Sequence, residues 1–242
     1  MNYYYITGTS RGIGKSIATQ LLKDEFNRVI GISRNCSIEH ENYKHIVLDM
    51  SDVEKVSKFK FDNHIDAHKL VLINNAGSVG AVVPVGKLKS DVIIKTYNIN
   101  LVSPSILINK FVDVYATSKA EKIILNVSSG AGKRAVDGWS VYCATKAGLD
   151  MYSMVTFIEQ DKNTVYNPVK MAAIAPGVVD TQMQEELRKA SKSDFSQIED
   201  FIAYKTKKML LSPDKVAQKY VKLLEDPRLI KETISALKDY NL

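Results

Sequence analysis

The sequence predicts an α/β protein with a doubly wound parallel sheet, built as one domain over residues 1–242. Stretches with strand-like and helix-like patterns alternate along the chain, which is the order found when helices cover both faces of a parallel sheet. Residues 70–74 form a continuous apolar run, as expected for a central parallel strand buried on both faces. A glycine-rich turn follows the first strand and leads into a helix.

The elements are predicted from apolar periodicity. Strands are expected at residues 3–7, 28–33, 45–48, 70–74, 121–128, 169–175 and 233–237. Helices are expected at residues 13–26, 91–115 and 140–159, and Pro104 should bend or interrupt the second. A last helix should begin after Ser212, with Pro213 at its first position. Residues 182–211 are polar and lack strand character, which indicates a mobile helical insertion.

Composition excludes several classes of protein. The net charge is +6, but the basic residues are scattered, so nucleic-acid binding is not expected. No apolar run approaches the ~18–20 residues that a membrane helix needs. The two cysteines, Cys36 and Cys143, are far apart and read as free thiols of a reducing compartment, which predicts a cytoplasmic protein. Neither they nor the four histidines have metal-ligand spacing, so no metal site is predicted.

The turn after the first strand predicts a nucleotide-phosphate site. It reads Thr-Gly-Thr-Ser-Arg-Gly-Ile-Gly over residues 7–14. Gly8 permits a tight strand-to-helix turn, and Gly12 and Gly14 let the pyrophosphate and the helix approach the backbone. The helix that follows presents free N–H groups to phosphate. A plain tight turn is the alternative for such a loop alone, and its place between strand and helix favours the nucleotide.

The end of the second strand favours NADP(H) over NAD(H). A carboxylate there would bind the ribose 2′-hydroxyl and repel a 2′-phosphate. The sequence has Ser33 and Arg34 instead, and Arg11 lies within the glycine loop. Two guanidinium groups near the ribose would bind a 2′-phosphate through charge-assisted hydrogen bonds. The alternative is that both arginines are merely solvent-exposed.

Two further segments are candidates for nucleotide binding. Asp49, just past the third strand, could accept a hydrogen bond from the adenine amino group, or could cap a helix beginning at Ser51. Asn75, Ala76 and Gly77 end the fourth strand, where small residues would let a nucleotide lie against the backbone. A simple turn is the alternative for this second segment.

Tyr142 and Lys146 form the candidate acid–base pair. They are four residues apart in a predicted helix and therefore share one face. An isolated tyrosine ionises near pH ~10. A nearby ammonium favours the phenolate, so we expect Lys146 to lower the pKa of Tyr142 and make it a general acid or base near neutral pH.

These motifs together resemble the short-chain dehydrogenase/reductase family. The glycine loop, Asn-Asn-Ala-Gly, Asn100, Ser129, Tyr142 with Lys146, and Pro176 with Gly177 occur in the family's order over nearly the whole chain. The resemblance implies a Rossmann-type seven-stranded sheet of order 3-2-1-4-5-6-7. Within the family, the segments around Ser129, Tyr142 and Pro176 look most like the subgroup of sepiapterin reductases and bacterial benzil reductases.

The resemblance also implies catalytic roles. Tyr142 would donate a proton to a substrate carbonyl while NADPH delivers hydride, and Lys146 would contact the nicotinamide ribose. Ser129 would hydrogen-bond the carbonyl oxygen, with the neighbouring Ser128 as its rival. Asn100 would hold a water that connects Lys146 to solvent, and Asn98 is the competing candidate for this role.

Further residues are assigned by the same resemblance. The segment after strand six would bind the nicotinamide carboxamide, and residues 182–211 would form a lid over the substrate. Trp139 would line the substrate pocket, and packing in the core is the alternative for it. The remaining cofactor and pocket candidates are Ser10, Ile13, Pro176, Gly177, Val179 and Thr181 for NADP(H), and Trp139, Val178 and Met183 for the substrate pocket.

One departure bears on the substrate. Pterin-reducing relatives have a carboxylate near the final strand, whereas here the first acid after that strand is Asp239, farther along. We therefore expect reduction of one keto group of a 1,2-diketone to an α-hydroxy ketone, with benzil as a surrogate. A pterin side-chain reductase and a non-catalytic NADP(H)-binding regulator are the alternatives. The family associates through its two long helices, so a homodimer or homotetramer is expected.

Overall fold

The computed structural model describes residues 1–162 and 167–242. Within these residues seven strands form one parallel sheet of order β3-β2-β1-β4-β5-β6-β7, which confirms the predicted fold and strand order. The strands are β1 Asn2–Thr7, β2 Asn27–Ser33, β3 Tyr43–Val47, β4 Lys69–Asn74, β5 Glu121–Val127, β6 Lys170–Ala175 and β7 Ile234–Ala236.

Helices connect these strands and cover the sheet. They are α1 Gly12–Leu21, α2 Val53–Lys58, α3 Ser90–Tyr97, α4 Ser103–Val114, α5 Ser140–Asp161, α6 Gln182–Leu187, α7 Ile198–Thr206 and α8 Pro213–Glu225. A π-helical turn, Asn98–Val102, joins α3 to α4. In the described part of the chain, no helix has both the length and the apolar character needed to cross a bilayer.

The core has a layer on each face of the sheet, and the alternation of side chains along β1 shows how it forms. Tyr4 and Ile6 point to the layer that contains α1 and α8, while Tyr5 points to the layer that contains α2 and α4. All three side chains are buried. A third apolar cluster lies between the start of α5 and helices α6 and α7, outside the sheet.

Two element boundaries differ from the prediction for identifiable reasons, and the interruption expected at Pro104 occurs just before it. The first helix ends at Leu21 rather than at residue 26, because Asn27 Nδ2 donates to the Leu21 carbonyl at 2.9 Å and the chain turns there. The predicted helix 91–115 is interrupted by the π-helical turn just before Pro104, which lies in the first turn of α4. Helix α2 is capped by Asp52, whose carboxylate accepts from Lys55 N at 3.0 Å.

Lysines at the amino ends of three strands anchor the edge of the sheet opposite the glycine loop. Lys122 Nζ is buried and donates to the carbonyls of Tyr115 and Ser118, both at 3.0 Å. Lys69 Nζ donates to the last turn of α8 at 2.6 Å, and Lys170 Nζ donates to the carbonyl of Pro227. These bonds satisfy carbonyls that lie at or just beyond helix C-termini.

Candidate active site

A cleft of about 760 Å³ lies beyond the carboxyl ends of the strands. Ligands of open parallel sheets bind at this edge, where the strand order reverses direction next to β1. Fourteen of the predicted cofactor residues line it: Gly8, Ser10, Arg11, Gly12, Ile13, Arg34, Asp49, Asn75, Ala76, Gly77, Tyr142, Lys146, Pro176 and Thr181.

The glycine loop is shaped to receive a pyrophosphate. Gly8 and Gly12 have φ angles of +77° and +58°, which are left-handed values that favour glycine. Among the described residues no side chain caps the N-terminus of α1, so its first N–H groups are open to a ligand. Gly14 is a packing residue instead: a Cβ there would lie 2.3 Å from Asn75 Nδ2 and 2.4 Å from the Gly8 carbonyl oxygen. The residues present therefore fit a dinucleotide.

The ribose end of the cleft is lined by Arg11, Ser33 and Arg34, with no carboxylate directly after β2. Asp49 lies near it, and its Oδ1 accepts from Ser51 N and Oγ, both at 2.9 Å. Burial raises the pKa of Asp49, but the Ser51 hydrogen bonds and nearby cations that include Arg34 outweigh burial, so the net shift is downward. The helix-cap alternative for Asp49 is wrong, because α2 is capped elsewhere.

Tyr142 and Lys146 meet on one face of α5 at the centre of the cleft. Their exposed fractions are 8% and 5%. Lys146 Nζ lies 5.9 Å from the centroid of the Tyr142 ring and donates to the Val127 carbonyl at 2.8 Å. The i and i+4 spacing therefore brings both groups to the cleft, as the sequence predicts.

The predicted electrostatic effect of Lys146 on the tyrosine is wrong for this arrangement. Burial raises the pKa of Tyr142, and a hydrogen bond with Ser129 opposes the rise. Burial likewise lowers the pKa of Lys146 to about 8, and the Asp150 carboxylate opposes the fall. The reason is that burial disfavours the charged form of both groups, while the ammonium is directed to a carbonyl rather than to the phenol oxygen.

The two candidate serines have different partners. Ser128 Oγ donates to Asp150 Oδ1 at 2.5 Å and is buried. Ser129 Oγ accepts from Ala131 N at 3.2 Å, and its hydroxyl is near enough to Tyr142 to oppose the rise in the pKa of the phenol. Successive residues at the strand end point to opposite sides, so Ser129 is the serine that faces the phenol.

Asn100 lies in the π-helical turn, a feature often found at functional sites. Its side chain donates to the Ser78 carbonyl at 2.7 Å and accepts from Ser78 N at 2.9 Å. A Cβ added at Gly77 would lie 3.6 Å from Asn100 Oδ1 and 3.9 Å from Lys146 Nζ, so both side chains converge there. The competitor Asn98 instead donates to a carbonyl in the loop after β3.

The predicted lid, residues 182–211, is folded against the cleft. It contains α6 and α7 and is held to the main body by two ion pairs, Lys205–Asp180 and Lys87–Asp194, both at 2.6 Å. Both pairs are partly solvent-exposed, so each contributes only about 0–1 kcal/mol. The lid is also held by the third apolar cluster, in which Phe195 and Phe201 pack against Trp139, so the ion pairs are a minor part of its contact with the main body.

Only Met183 of the three predicted pocket residues lines the cleft. Trp139 is buried in the third apolar cluster, where it stacks on Phe195 and meets Tyr142 edge to face. Core packing, the alternative for Trp139, is therefore what the structure shows. Val178 is held through its carbonyl, which accepts a backbone hydrogen bond from the end of the lid.

The segment after β6 is only partly in the cleft. Pro176 and Thr181 line it, whereas Val179 is buried in the core and Gly177 is an exposed turn residue with φ +85°.

The sequence analysis did not find two kinds of residue. Cleft-lining lysines come from distant elements, and the buried acid Asp150 continues the four-residue spacing of Tyr142 and Lys146, a signal that could have found it.

The structure also shows the surroundings of the two cysteines and of Asp239. Both cysteines are free thiols, and no group of three metal-ligating side chains occurs among residues 1–162 and 167–242. Asp239 is exposed, does not line the cleft, and accepts a hydrogen bond from Ala236 N at 2.8 Å. It caps the turn after β7 and is not placed to anchor a ligand in the cleft.

Comparisons with known proteins agree with this geometry. The family model for short chain dehydrogenases matches residues 2–192. A Bacillus cereus protein described as benzil reductase ((S)-benzoin forming) is 42% identical, over 93% of this chain and 94% of its own. A Bacillus subtilis (strain 168) protein of the same description is 35% identical, with the same coverage. The crystal structure of a short-chain dehydrogenase/reductase from Saccharomyces cerevisiae superposes with a TM-score of 0.80, at 24% identity over 99% of this chain and 97% of that one.

Proposed function

Because the chain belongs to the short-chain dehydrogenase/reductase family, we propose that it reduces one keto group of a benzil-like 1,2-diketone with NADPH, giving an α-hydroxy ketone. The observation that carries the proposal is the Tyr142 phenol, with Ser129 against it and Lys146 beside it, in a cleft beyond the carboxyl ends of the strands. The names of the Bacillus relatives support the substrate class.

NADPH, when bound, supplies the hydride. The residues that would hold it are the glycine loop and the N-terminus of α1 for the pyrophosphate, and Arg11 and Arg34 for the 2′-phosphate. Asp49 would accept a hydrogen bond from the adenine amino group, because its lowered pKa keeps the carboxylate ionised at neutral pH.

Tyr142 is in the right protonation state for carbonyl reduction. Its raised pKa keeps the phenol protonated at neutral pH, so it can donate to the carbonyl oxygen as negative charge develops there. Ser129 would hydrogen-bond the same oxygen and stabilise that charge. Lys146, with a pKa of about 8, is mostly protonated near pH 7 and can return a proton to the phenolate. Asn100 would link Lys146 to solvent through a bound water.

The end of the chain supports this substrate class. Asp239, the acid that follows β7, caps a turn and does not line the cleft, so a pterin ring would lack a carboxylate anchor at that position. The lid contributes Met183 to the cleft together with Glu185 and Glu186, and the apolar Met183 side chain suits a dicarbonyl. We also propose that the protein is a cytoplasmic homo-oligomer that contacts its partners through α5, which exposes an apolar stripe.

The experiment measures NADPH oxidation by the purified protein with benzil, smaller 1,2-diketones, sepiapterin and a simple aldehyde, and identifies the product by chromatography. We expect turnover of the diketones to the mono-alcohol. Tyr142→Phe should lower kcat about 10²- to 10⁴-fold, the usual contribution of a general acid, while NADPH binding is retained.

Tyr152→Phe is the matched control, because Tyr152 lies on the same helix and its hydroxyl makes one weak hydrogen bond, at 3.4 Å, to the described part of the chain. Near-normal turnover by Tyr142→Phe would contradict the assignment of the acid. Activity confined to sepiapterin would favour a pterin reductase, and NADPH binding without turnover of any dicarbonyl would favour a regulator.

A further inference from the structure

Asp150 is a buried carboxylate that the scheme above does not use. It follows Lys146 by four residues on α5, so it lies on the face that carries Tyr142 and Lys146. Its exposed fraction is 6%, and among the residues that the structure describes it is the only buried acid. Burying a carboxylate is costly unless nearby groups compensate. Its position beside the catalytic pair therefore needs a physical reason.

The contacts of Asp150 fix the carboxylate next to the catalytic lysine. Oδ1 accepts from Ser128 Oγ at 2.5 Å, and Oδ2 is buried with no hydrogen-bond partner in the described part of the chain. A Cβ at Gly132 would lie 3.0 Å from Asp150 Oδ2 and 3.0 Å from the carbonyl carbon of Lys146. The turn after β5 thus packs directly on both residues and shields the carboxylate from solvent.

The charged groups facing this carboxylate are both cations. Lys146 comes from α5 itself and Lys133 from the turn after β5, and Ser128 at the end of β5 contributes a neutral donor. Burial raises the pKa of Asp150, and Ser128 and the two lysines oppose that rise. No carboxylate oxygen lies within 4.0 Å of Lys146 Nζ in the described residues, so the two charges interact through space. Lys146 is otherwise faced by the Val127 carbonyl and the Tyr142 phenol.

We propose that Asp150 is a positioning residue whose buried carboxylate holds the Lys146 ammonium in its charged form inside the cleft. The inference rests on the proposed function, which gives Lys146 the task of returning a proton to Tyr142. A neutral amine at this position cannot return that proton, so turnover depends on the charge of Lys146. Asp150 supplies the one nearby negative charge among the described groups that opposes the effect of burial on Lys146.

The test is the pH profile of kcat for Asp150→Asn, which keeps the size of the side chain and the acceptor for Ser128 but removes the charge. Loss of an opposite charge nearby changes a pKa by about one unit or more. With a pKa of about 8 in the native chain, Lys146 is half protonated at that pH. A fall of about one unit leaves about a tenth protonated, so kcat should drop about fivefold at pH ~8 and less than about twofold at pH ~6.

The matched control is Glu159→Gln, which removes an exposed negative charge from the same helix. Its pH profile should overlay that of the unmodified protein. If the alkaline limb of Asp150→Asn also stays in place, or if Glu159→Gln moves the limb equally, the proposal is overturned. A merely structural role of Asp150 would lower the rate at all pH values without displacing the limb.

A second readout does not require turnover. In protein labelled with ¹³C at the lysine ε-carbons, the NMR signal of Lys146 is identified by its loss in Lys146→Met and is titrated with pH. Asp150→Asn should move its midpoint down by about one unit, and an unmoved midpoint overturns the proposal even in an active reductase. A moved midpoint in a protein that turns over no dicarbonyl supports this inference and contradicts the proposed function.

The native chain provides the same test if Asp150→Asn fails to fold. Groups whose charges change each other's pKa by about one unit or more titrate as a coupled pair. The Lys146 signal should therefore show a second, acidic step as Asp150 takes up its proton. A Lys146 signal with no acidic step overturns the proposal.

Discussion

Arg34→Asp should reverse or erode the preference of this protein for NADPH. Arg34 is exposed, follows β2 directly and lines the cleft, with Arg11 from the glycine loop on the same wall. The substitution removes one guanidinium and adds a carboxylate near Asp49, whose pKa already reflects the charge of Arg34. A 2′-phosphate would then meet two carboxylates and one arginine where it had met two arginines and one carboxylate.

The magnitude follows from the loss of one hydrogen bond to a charged group, about 1.5–3 kcal/mol. That range corresponds to an increase of about 10- to 150-fold in the Kd for NADPH. NADH lacks the 2′-phosphate, so its Kd should change by less than about threefold. Because Arg34 is exposed, the loss for NADPH should shrink as salt screens the charges.

The assay is a fluorescence titration of both cofactors at low and high salt. Arg28→Asp is the matched control: it makes the same change of charge at the opposite end of β2, where Arg28 donates to backbone carbonyls away from the cleft. Thermal melting checks that both variants are folded. An NADPH affinity that survives Arg34→Asp unchanged, or one that falls equally in Arg28→Asp, would refute the assignment of the 2′-phosphate site.

Three further outcomes are expected. The unfolding free energy of Lys146→Met relative to the unmodified protein should rise by as much as about 3 kcal/mol as the pH falls from ~10.5 to ~7, since 10.5 − 8 is 2.5 pKa units of burial penalty on the charged lysine; the rise is complete below the folded pKa, and denaturant titrations measure it. Gly14→Ala should cost at least about 1–3 kcal/mol and weaken NADPH binding, because its Cβ would lie 2.4 Å from the Gly8 carbonyl oxygen; Gly130→Ala, which meets nothing within 4 Å, is the control in thermal melts. Val155→Glu, at a position 46% exposed on the apolar stripe of α5, should give monomers by light scattering, and an unchanged mass would contradict an α5 interface.

The sheet could be predicted because the information that specifies it is local. A buried parallel strand is a short continuous apolar run, as in β4, and all seven predicted strands formed within a few residues of their expected ends. The π-helical turn could not be predicted from the local apolar pattern. It adds one residue to a helix whose apolar pattern continues on both sides, and the one visible signal, Pro104, lies after the turn.

The sequence predicted which side chains of the site come together, but it did not predict the direction of the shift in the pKa of Tyr142. The four-residue interval brings Tyr142 and Lys146 together, since helical geometry alone fixes that contact. The direction of the tyrosine pKa shift depends on burial, which a sequence window does not contain, and the expectation there was wrong. Trp139 shows the same limit, because only the position of the lid decides whether an aromatic side chain lines a cavity or fills a core.

The π-helical turn has a consequence for how the two helices it joins are oriented. One inserted residue turns everything after it by about 100° relative to an uninterrupted α-helix. This rotation lets Leu107 and Phe111 of α4 pack against the sheet while Asn100, a short way upstream, keeps its amide on the loop that carries Ser78. Deleting one residue of this turn other than Asn100 would make these two arrangements incompatible, although no catalytic side chain had been removed.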